Sequence, residues 1–278
     1  MKDPRGRQAA FNASSRDQWD GFSGHRQKVA ALLGAGVAPG GTRLCVLGAG
    51  NGNDLDLPAL LEAHREVHLV DLDSGALASG LERQGVADHP ALRSHGGIDV
   101  TGMLNAVASW SPRASIAPAD LQALVEWPSR RVGLALPGPF DLVASTCLLS
   151  PLIGNAYHAV GEGHPQFLAL VRAIRTGHLR LLTHLTAPGG TAILITDVAS
   201  TDTFPTLRAV PEDTLPGLLR ELALGRRFFH GVDPAALTEA LRHDSVLSAR
   251  VASLERIPPW RWNLHARVYL VLAIRCRM

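Results

Sequence analysis

The sequence predicts an α/β protein with a Rossmann-like, doubly wound sheet of seven strands, mostly parallel and closed by an antiparallel C-terminal pair. Three observations carry this. Short apolar runs alternate with helical stretches through the first two thirds of the chain, the pattern of a parallel sheet with right-handed crossovers. A glycine-rich segment, Gly48-Ala49-Gly50-Asn51-Gly52, follows the first such run. Two β-rich runs end the chain, joined by a connection of about nine residues, too short for a helical crossover.

The first strand is expected at Arg43–Gly48, short, apolar and glycine-terminated, as a strand buried on both faces should be. Before it, a polar stretch leads into a helix over His25–Leu33, ended by Gly34 and Gly36 and followed by Pro39-Gly40-Gly41. After it, Asn53 or Asp54 is placed to cap a helix through Leu55, Leu57, Leu60 and Leu61. Glu66–Leu72 is the second strand, and Ser74 caps a helix to about Gln84. Leu92–Val100 is a weaker third strand, ending at Asp99. Residues 103–138 show one helix, Pro118–Trp127. Phe140–Thr146 is the fourth strand, a long helix covers about Pro165–Leu185, and Thr191–Asp197 is the fifth strand. Residues 198–243 read as helical with proline interruptions. The closing β pair is expected at Val246–Ile257 and Arg267–Arg277, with Pro258–Asn263 in the connection.

Composition bounds the function. The chain has 278 residues, 46% hydrophobic and 19% charged, which suits one large α/β domain with a modest accessory segment. A formal net charge of +2 announces neither a nucleic-acid nor a membrane surface. Three cysteines make no disulfide framework, and Cys45 and Cys276 sit in apolar runs as expected of reduced, buried thiols. Residues 1–25 hold no apolar core of a signal peptide. The apolar stretch Val268–Ile274 is far shorter than the roughly 20 residues a membrane-spanning helix needs. A soluble cytoplasmic protein is the expectation.

The glycine segment carries the chemistry. Glycines after a strand let the backbone turn sharply and approach a ligand, while the next helix presents unpaired N–H groups. The dinucleotide fingerprint G-x-G-x-x-G is not met, because its third glycine would fall at Asn53; what stands is G-x-G-x-G. That pattern alone also fits a merely tight turn. Its neighbours sharpen it. Asp71 ends the second strand about twenty residues on, where a carboxylate accepts both hydroxyls of a ribose. Asp99 ends the third strand and Thr146 the fourth, so all lie at the carboxyl ends of strands, where open α/β sheets bind ligands. Each has a plainer reading: Asp71 or Asp73 as a helix cap, Asp99 as the close of a turn before Gly102.

With these motifs in hand, residues of about 43–277 resemble the class I S-adenosylmethionine-dependent methyltransferases. VLGAGNG at 46–52 resembles that family's first motif, VHLVDLD at 67–73 its second and GGIDV at 96–100 its third. FDLVAST at 140–146, APGGTAILITD at 187–197 and the terminal β pair resemble its later strands. The resemblance implies S-adenosylmethionine as cofactor, with Gly48, Ala49, Gly50, Asn51 and Gly52 under its methionine and ribose part. Asp71 would hold the ribose hydroxyls, Leu72 would pack on the adenine, Asp99 would meet the adenine amine, and Val100 and Thr146 would also belong to the cofactor site. The family's usual acid two positions before the first glycine is Val46 here, so the contact to the cofactor's amino group falls to Asn51, Asn53 or Asp54.

Substrate-facing candidates follow the fourth strand: Ser150, Asn155, Tyr157, His158 and His164. His158 and Tyr157 are the candidates for proton transfer, since a histidine near neutral pKa accepts a proton from a phenol, amine or acid. His158 and His164, without a nearby cysteine or paired acid, are not expected to bind zinc, and no metal is expected. Trp19, Phe22, His25 and Arg26, before the first strand, and Trp262 in the final β pair are further candidates for the substrate wall. Residues 1–40 are expected to form a helical lid on a methyltransferase domain of residues 41–278. The activity expected is methyl transfer to an O or N atom of a small molecule, with no membrane and no nucleic-acid partner. The alternatives are a cofactor-binding module without catalysis, or a methyltransferase of protein or RNA.

Overall fold

In the computed structural model, which describes residues 3–35 and 41–278, one seven-stranded sheet runs through the molecule in the order β3-β2-β1-β4-β5-β7-β6. The strands are β1 (Arg43–Leu47), β2 (Glu66–Asp71), β3 (Leu92–Gly96), β4 (Phe140–Thr146), β5 (Thr186–Ser200), β6 (Ser253–Leu264) and β7 (Arg267–Arg277). β1 to β5 are parallel, and β7 runs antiparallel to both β5 and β6. The order reverses between β1 and β4, so the carboxyl ends of these two strands flank the crevice in which open α/β sheets bind ligands.

Helices cover both faces. Before β1 lie α1 (Pro4–Ser15) and α2 (Ser23–Gly34); between β1 and β3 lie α3 (Leu57–Ala63) and α4 (Ser74–Arg83). Then come α5 (Leu104–Ser109), α6 (Pro118–Trp127) and α7 (Gly133–Ala135) before β4, and α8 (Leu149–Val160) and α9 (Phe167–Leu185) between β4 and β5. α10 (Leu215–Leu224), α11 (Pro234–His243) and α12 (Ser245–Ser248) precede β6. Each sheet face buries its own apolar cluster. Val143 and Leu194 belong to the one under α9, Val46, Ala144 and Ile195 to the other, where Val29, Leu33, Trp260 and Trp262 close it. This alternation makes each central strand read as a continuous apolar run.

The expected elements differ from the observed ones in several places, among them α8, which the sequence does not signal, and β5, which begins at Thr186 and reaches Ser200. α1 had no apolar stripe to announce it: its buried residues are Pro4, Asn12 and Ser15, and Asp3 caps it by accepting from the N–H groups of Arg5 and Gly6. The cap of α3 is Asp56, which accepts from Ala59 N, rather than Asn53 or Asp54; the cap of α4 is Asp73, accepting from Ala76 N, rather than Ser74. β3 ends at Gly96, leaving Asp99 in the turn beyond it. Residues 245–248 are helical and Pro258–Asn263 lie inside β6, so the final connection is only His265-Ala266. Gly36 and the Pro39-Gly40 turn lie outside the described residues. Among the described residues no helix is long and apolar enough to cross a membrane.

Candidate cofactor and acceptor site

The glycine turn is built as its sequence requires. Gly48, Gly50 and Gly52 all have positive φ, at 83°, 48° and 63°, where a side chain strains the backbone. At Gly48 a Cβ would also lie 2.8 Å from Cβ of Leu148, because the segment after β4 packs against the turn. The N–H of Gly48 donates to Val70 O at 2.9 Å, and Cys147 N donates to Ile195 O at 2.9 Å, which fixes the two lips of the crevice to neighbouring strands.

Asp71 closes the turn from β2. Its Oδ2 accepts from Gly50 N at 2.8 Å and its Oδ1 from Asp73 N at 2.9 Å. Burial raises its carboxyl above the usual carboxylate range, and the backbone donors pull the other way. Asp54, also buried, is pushed by desolvation up to about 7, with a hydrogen bond from Thr146 opposing. Asn51 and Asn53 turn toward α1. Asn51 Nδ2 donates to Asn12 O at 2.6 Å, Asn53 Nδ2 donates to Ser15 O at 2.7 Å, and Asn12 Nδ2 donates to Asp73 Oδ2 at 3.0 Å. Asn51 Oδ1 is buried without a hydrogen-bond partner among the described residues.

Two adjoining cavities share Gly48, Asp71, Leu148 and Gln8. The larger, of about 610 Å³, begins at the glycine turn, where Ala49, Gly50, Asn51 and Asp54 line it, and passes Thr146. It then reaches Ser150, Tyr157 and His158 on α8, Asp197 on β5 and Trp262 on β6. The smaller, of about 30 Å³, is lined by Leu72, Asp99 and Val100 and is covered by Gln8 and Asn155. Asp99 is at once its wall and a turn-former: Oδ1 accepts from Thr101 N and Oγ1, and Oδ2 from Leu104 N at 2.9 Å. Arg7 Nη2 donates to Asn155 Oδ1 at 3.0 Å, so α1 clasps α8 over this slot.

The remaining residues singled out in the sequence lie elsewhere. Gly52 shapes the turn but lines neither cavity. Trp19 and Arg26 lie outside both cavities and brace the turn from behind: the guanidinium sits 3.5 Å from the Trp19 ring centroid and donates to Asn53 O at 2.7 Å. His25 is buried behind the wall, stacked on Trp262 with centroids 4.6 Å apart and accepting at Nδ1 from Trp260 Nε1 at 3.1 Å. Burial lowers its pKa to about 3. His164 bonds Ala114 O at 3.1 Å, away from both cavities. Phe22 does reach the larger cavity, and Tyr157 stands at its mouth, stacked on His230.

Sequence reading missed Gln8 and Asn12 of α1 and, on the far wall, Asp197 and Tyr269. Asp197 was findable: it ends an apolar run just as Asp71 does, and the strand-end rule applies to both. Among the described residues no group of three or more His, Cys, Asp or Glu is placed to hold a metal ion.

The whole chain superposes on a magnesium protoporphyrin IX methyltransferase from Synechocystis PCC 6803 with SAM bound, at TM-score 0.50 and 14% identity, covering 100% of this chain and 98% of that one. An N-methyltransferase from Bradyrhizobium japonicum WM9 aligns at TM-score 0.41 and 13% identity, covering 92% and 96%. An O-methyltransferase family protein from Burkholderia thailandensis aligns at TM-score 0.46 and 12% identity, covering 96% and 58%. No family model matches the chain, and no curated protein matches its sequence. The fold is that of the class I S-adenosylmethionine-dependent methyltransferases.

Proposed function

We propose that the protein is an S-adenosylmethionine-dependent methyltransferase that acts on an O or N atom of a small molecule. The observation that carries this is the continuity of the larger cavity. It starts at the glycine turn and Asp71, where the cofactor belongs, and continues to Ser150, Asp197 and Trp262, which leaves space for a second molecule. A module that only binds the cofactor has no use for that space.

The residues present fit the cofactor. Asp71, with two backbone N–H groups already bound, keeps lone pairs for the ribose hydroxyls. Of the three candidates for the cofactor's ammonium, Asn53 is committed, its Nδ2 to Ser15 and its Oδ1 to Arg83. The buried carboxyl of Asp54 and the orphan Oδ1 of Asn51 are left for that role. Leu72, Val100 and Asp99 form the slot for the base, and α1 is the lid. A slot of about 30 Å³ holds about two waters, so a purine enters only when Gln8 and Asn155 withdraw.

When bound, S-adenosylmethionine supplies an already activated methyl group for in-line transfer to the acceptor nucleophile. What the protein does is position the acceptor and keep water out. Phe22 and Leu148 present apolar surface to the cavity for this purpose. Calorimetry tests the reading: S-adenosylhomocysteine should bind with roughly micromolar affinity, about −8 kcal/mol. Absence of binding, alongside binding of NAD, overturns it.

A further inference from the structure

The far end of the larger cavity has a chemistry of its own. β5 carries an irregularity there: its register to β7 shifts between Asp197 and Ala199. Such bulges re-aim side chains, and Asp197 lines the cavity although its strand is buried on both faces. The Ser150 hydroxyl donates to Asp197 Oδ1. Tyr269, on the neighbouring β7, stacks on Trp262 with centroids 5.0 Å apart and planes at 29°, and Phe22 packs tilted against the same ring at 4.8 Å. Phe229 also lines the cavity, its N–H donating to Val198 O at 2.8 Å, next to Asp197. Asp197 thus shares the wall of the cavity with Tyr269, Trp262, Phe22 and Phe229.

The charge balance of this chamber selects the ligand. Arg267 lines it but is engaged: its guanidinium pairs with Asp202 and donates to the Tyr269 hydroxyl at 3.2 Å. His230 lies 3.8 Å from Glu162. Arg267 acts on Asp197 only through its charge, its guanidinium being engaged by Asp202 and Tyr269, so an anionic acceptor would meet the carboxylate, whereas a cationic one gains from it.

We propose that the methyl acceptor is an amine carried on an aromatic or otherwise apolar body, its nitrogen paired with Asp197 and its body packed against Trp262 and Tyr269. The inference rests on the methyltransferase reading. Asp197 also takes the proton that stands in the way of reaction. One N–H bond of the ammonium breaks, one O–H bond forms on the carboxylate, and the nitrogen lone pair is released while the total charge of the pair is unchanged. Burial favours this transfer from both sides, since it raises a carboxyl, as it does for Asp197, and lowers an ammonium.

The test is a binding comparison on the full chain saturated with S-adenosylhomocysteine. 2-Phenylethylamine, 2-phenylethanol and phenylacetate, which share one ring and differ in the polar group, are titrated by calorimetry and ligand-observed NMR. The amine should bind at least tenfold more tightly than either of the others. Asp197→Asn should remove that preference while S-adenosylhomocysteine binds as before. Equal or tighter binding of the alcohol or the acid overturns the proposal, as does failure of all three to bind or a preference that survives in Asp197→Asn. The ranking in the unaltered protein stands whether or not the variant folds. S-adenosylhomocysteine is titrated separately, so its failure to bind marks the methyltransferase reading, and the proposal with it, as wrong.

Discussion

Asn51, at the centre of the glycine turn, donates from Nδ2 to the main-chain carbonyl of Asn12 in α1 at 2.6 Å. Asn53, two residues on, donates to the carbonyl of Ser15 at 2.7 Å. The turn that would floor the proposed cofactor site thus holds the helix above it. Because Pro4 is the one apolar residue among the buried residues of α1, these bonds and those from Arg7 and Asn12 are its main attachment. Replacing both Asn51 and Asn53 by alanine should lower the free energy of opening α1 by about 1–3 kcal/mol. Amide exchange within residues 4–15 should then quicken by about tenfold to a hundredfold, with the sheet unaffected. Unchanged exchange would show that other contacts hold the lid.

Deleting residues 1–17 separates the lid from the core. The deletion spares Trp19, on which Arg26 rests, and Phe22 and His25, which are 6% and 1% exposed and belong to the packed interior. The expected result is a loss of S-adenosylhomocysteine affinity of more than about tenfold with a small fall in melting temperature, because little apolar area leaves the core. A truncated protein with full affinity would make α1 a surface helix and nothing more.

Asp71→Asn probes the ribose contact. The amide oxygen keeps one of the two backbone N–H partners, Gly50 or Asp73, while the charge is lost. S-adenosylhomocysteine binding should weaken by about 1–3 kcal/mol, the range for a charge-assisted hydrogen bond. Calorimetry of the variant, with its melting temperature as control, decides whether Asp71 or its neighbour Asp73 is the ribose ligand.

Why the sheet was legible in the sequence and parts of the site were not has a physical basis. β1, β2 and β4 are buried along almost their whole length, so each reads as a short, mostly apolar run, of which Leu44–Leu47 is the purest. β6 is an edge strand, where Pro258 and Pro259 cost no ladder bond in the sheet interior. They sit at a register irregularity between Ile257 and Trp260, so a segment that reads as a loop is strand. The glycine turn after β1 announced itself through glycines that positive φ demands. Asn12 and Ser15 of α1 could not, because a helix held by hydrogen bonds has no apolar period. His25 and Trp19 carry the residue types of a binding wall, yet packing puts them behind it, and sequence spacing does not distinguish the two sides of a wall.

His25 gives a prediction in pH. Its folded pKa, about 3, lies below the ordinary value of 6.5 because burial disfavours the imidazolium. The unfolded chain therefore binds the extra proton first, and the contribution of this residue, fully present above pH 6.5, is lost as pH falls toward 3. Chemical denaturation of the native protein and of His25→Gln should show a stability difference that shrinks by up to about 1.4 kcal/mol per pH unit below pH 6.5. Asp54, Asp71 and Asp197, raised by burial, tilt the absolute curves in the opposite sense in both proteins, which is why the difference is the quantity to measure. A difference independent of pH would mean that His25 titrates normally.

Gly80 supplies the last test, because it joins α4 to the cofactor loop. It is buried in the interior of that helix, where alanine is intrinsically favoured by about 1 kcal/mol. Yet a Cβ at Gly80 would collide with the main-chain carbonyl of Asn51, lying 2.6 Å from its carbon and closer still to its oxygen. A glycine in this helix therefore allows the close approach of helix and turn that the third glycine of the dinucleotide fingerprint provides in other proteins. The obstacle is backbone on both sides, so no rotamer relieves it. Overpacking of about 1–3 kcal/mol should outweigh the propensity gain, and the displaced segment is the one proposed to floor the cofactor site and, through Asn51 Nδ2, holds α1. Gly80→Ala should consequently lower the melting temperature and weaken S-adenosylhomocysteine binding together. Gly24→Ala, at a helical glycine with no atom within 4 Å of the added Cβ, should do neither. A Gly80→Ala protein that is stabilised, with cofactor affinity intact, would show that the loop yields without cost and would detach α4 from the architecture of the site.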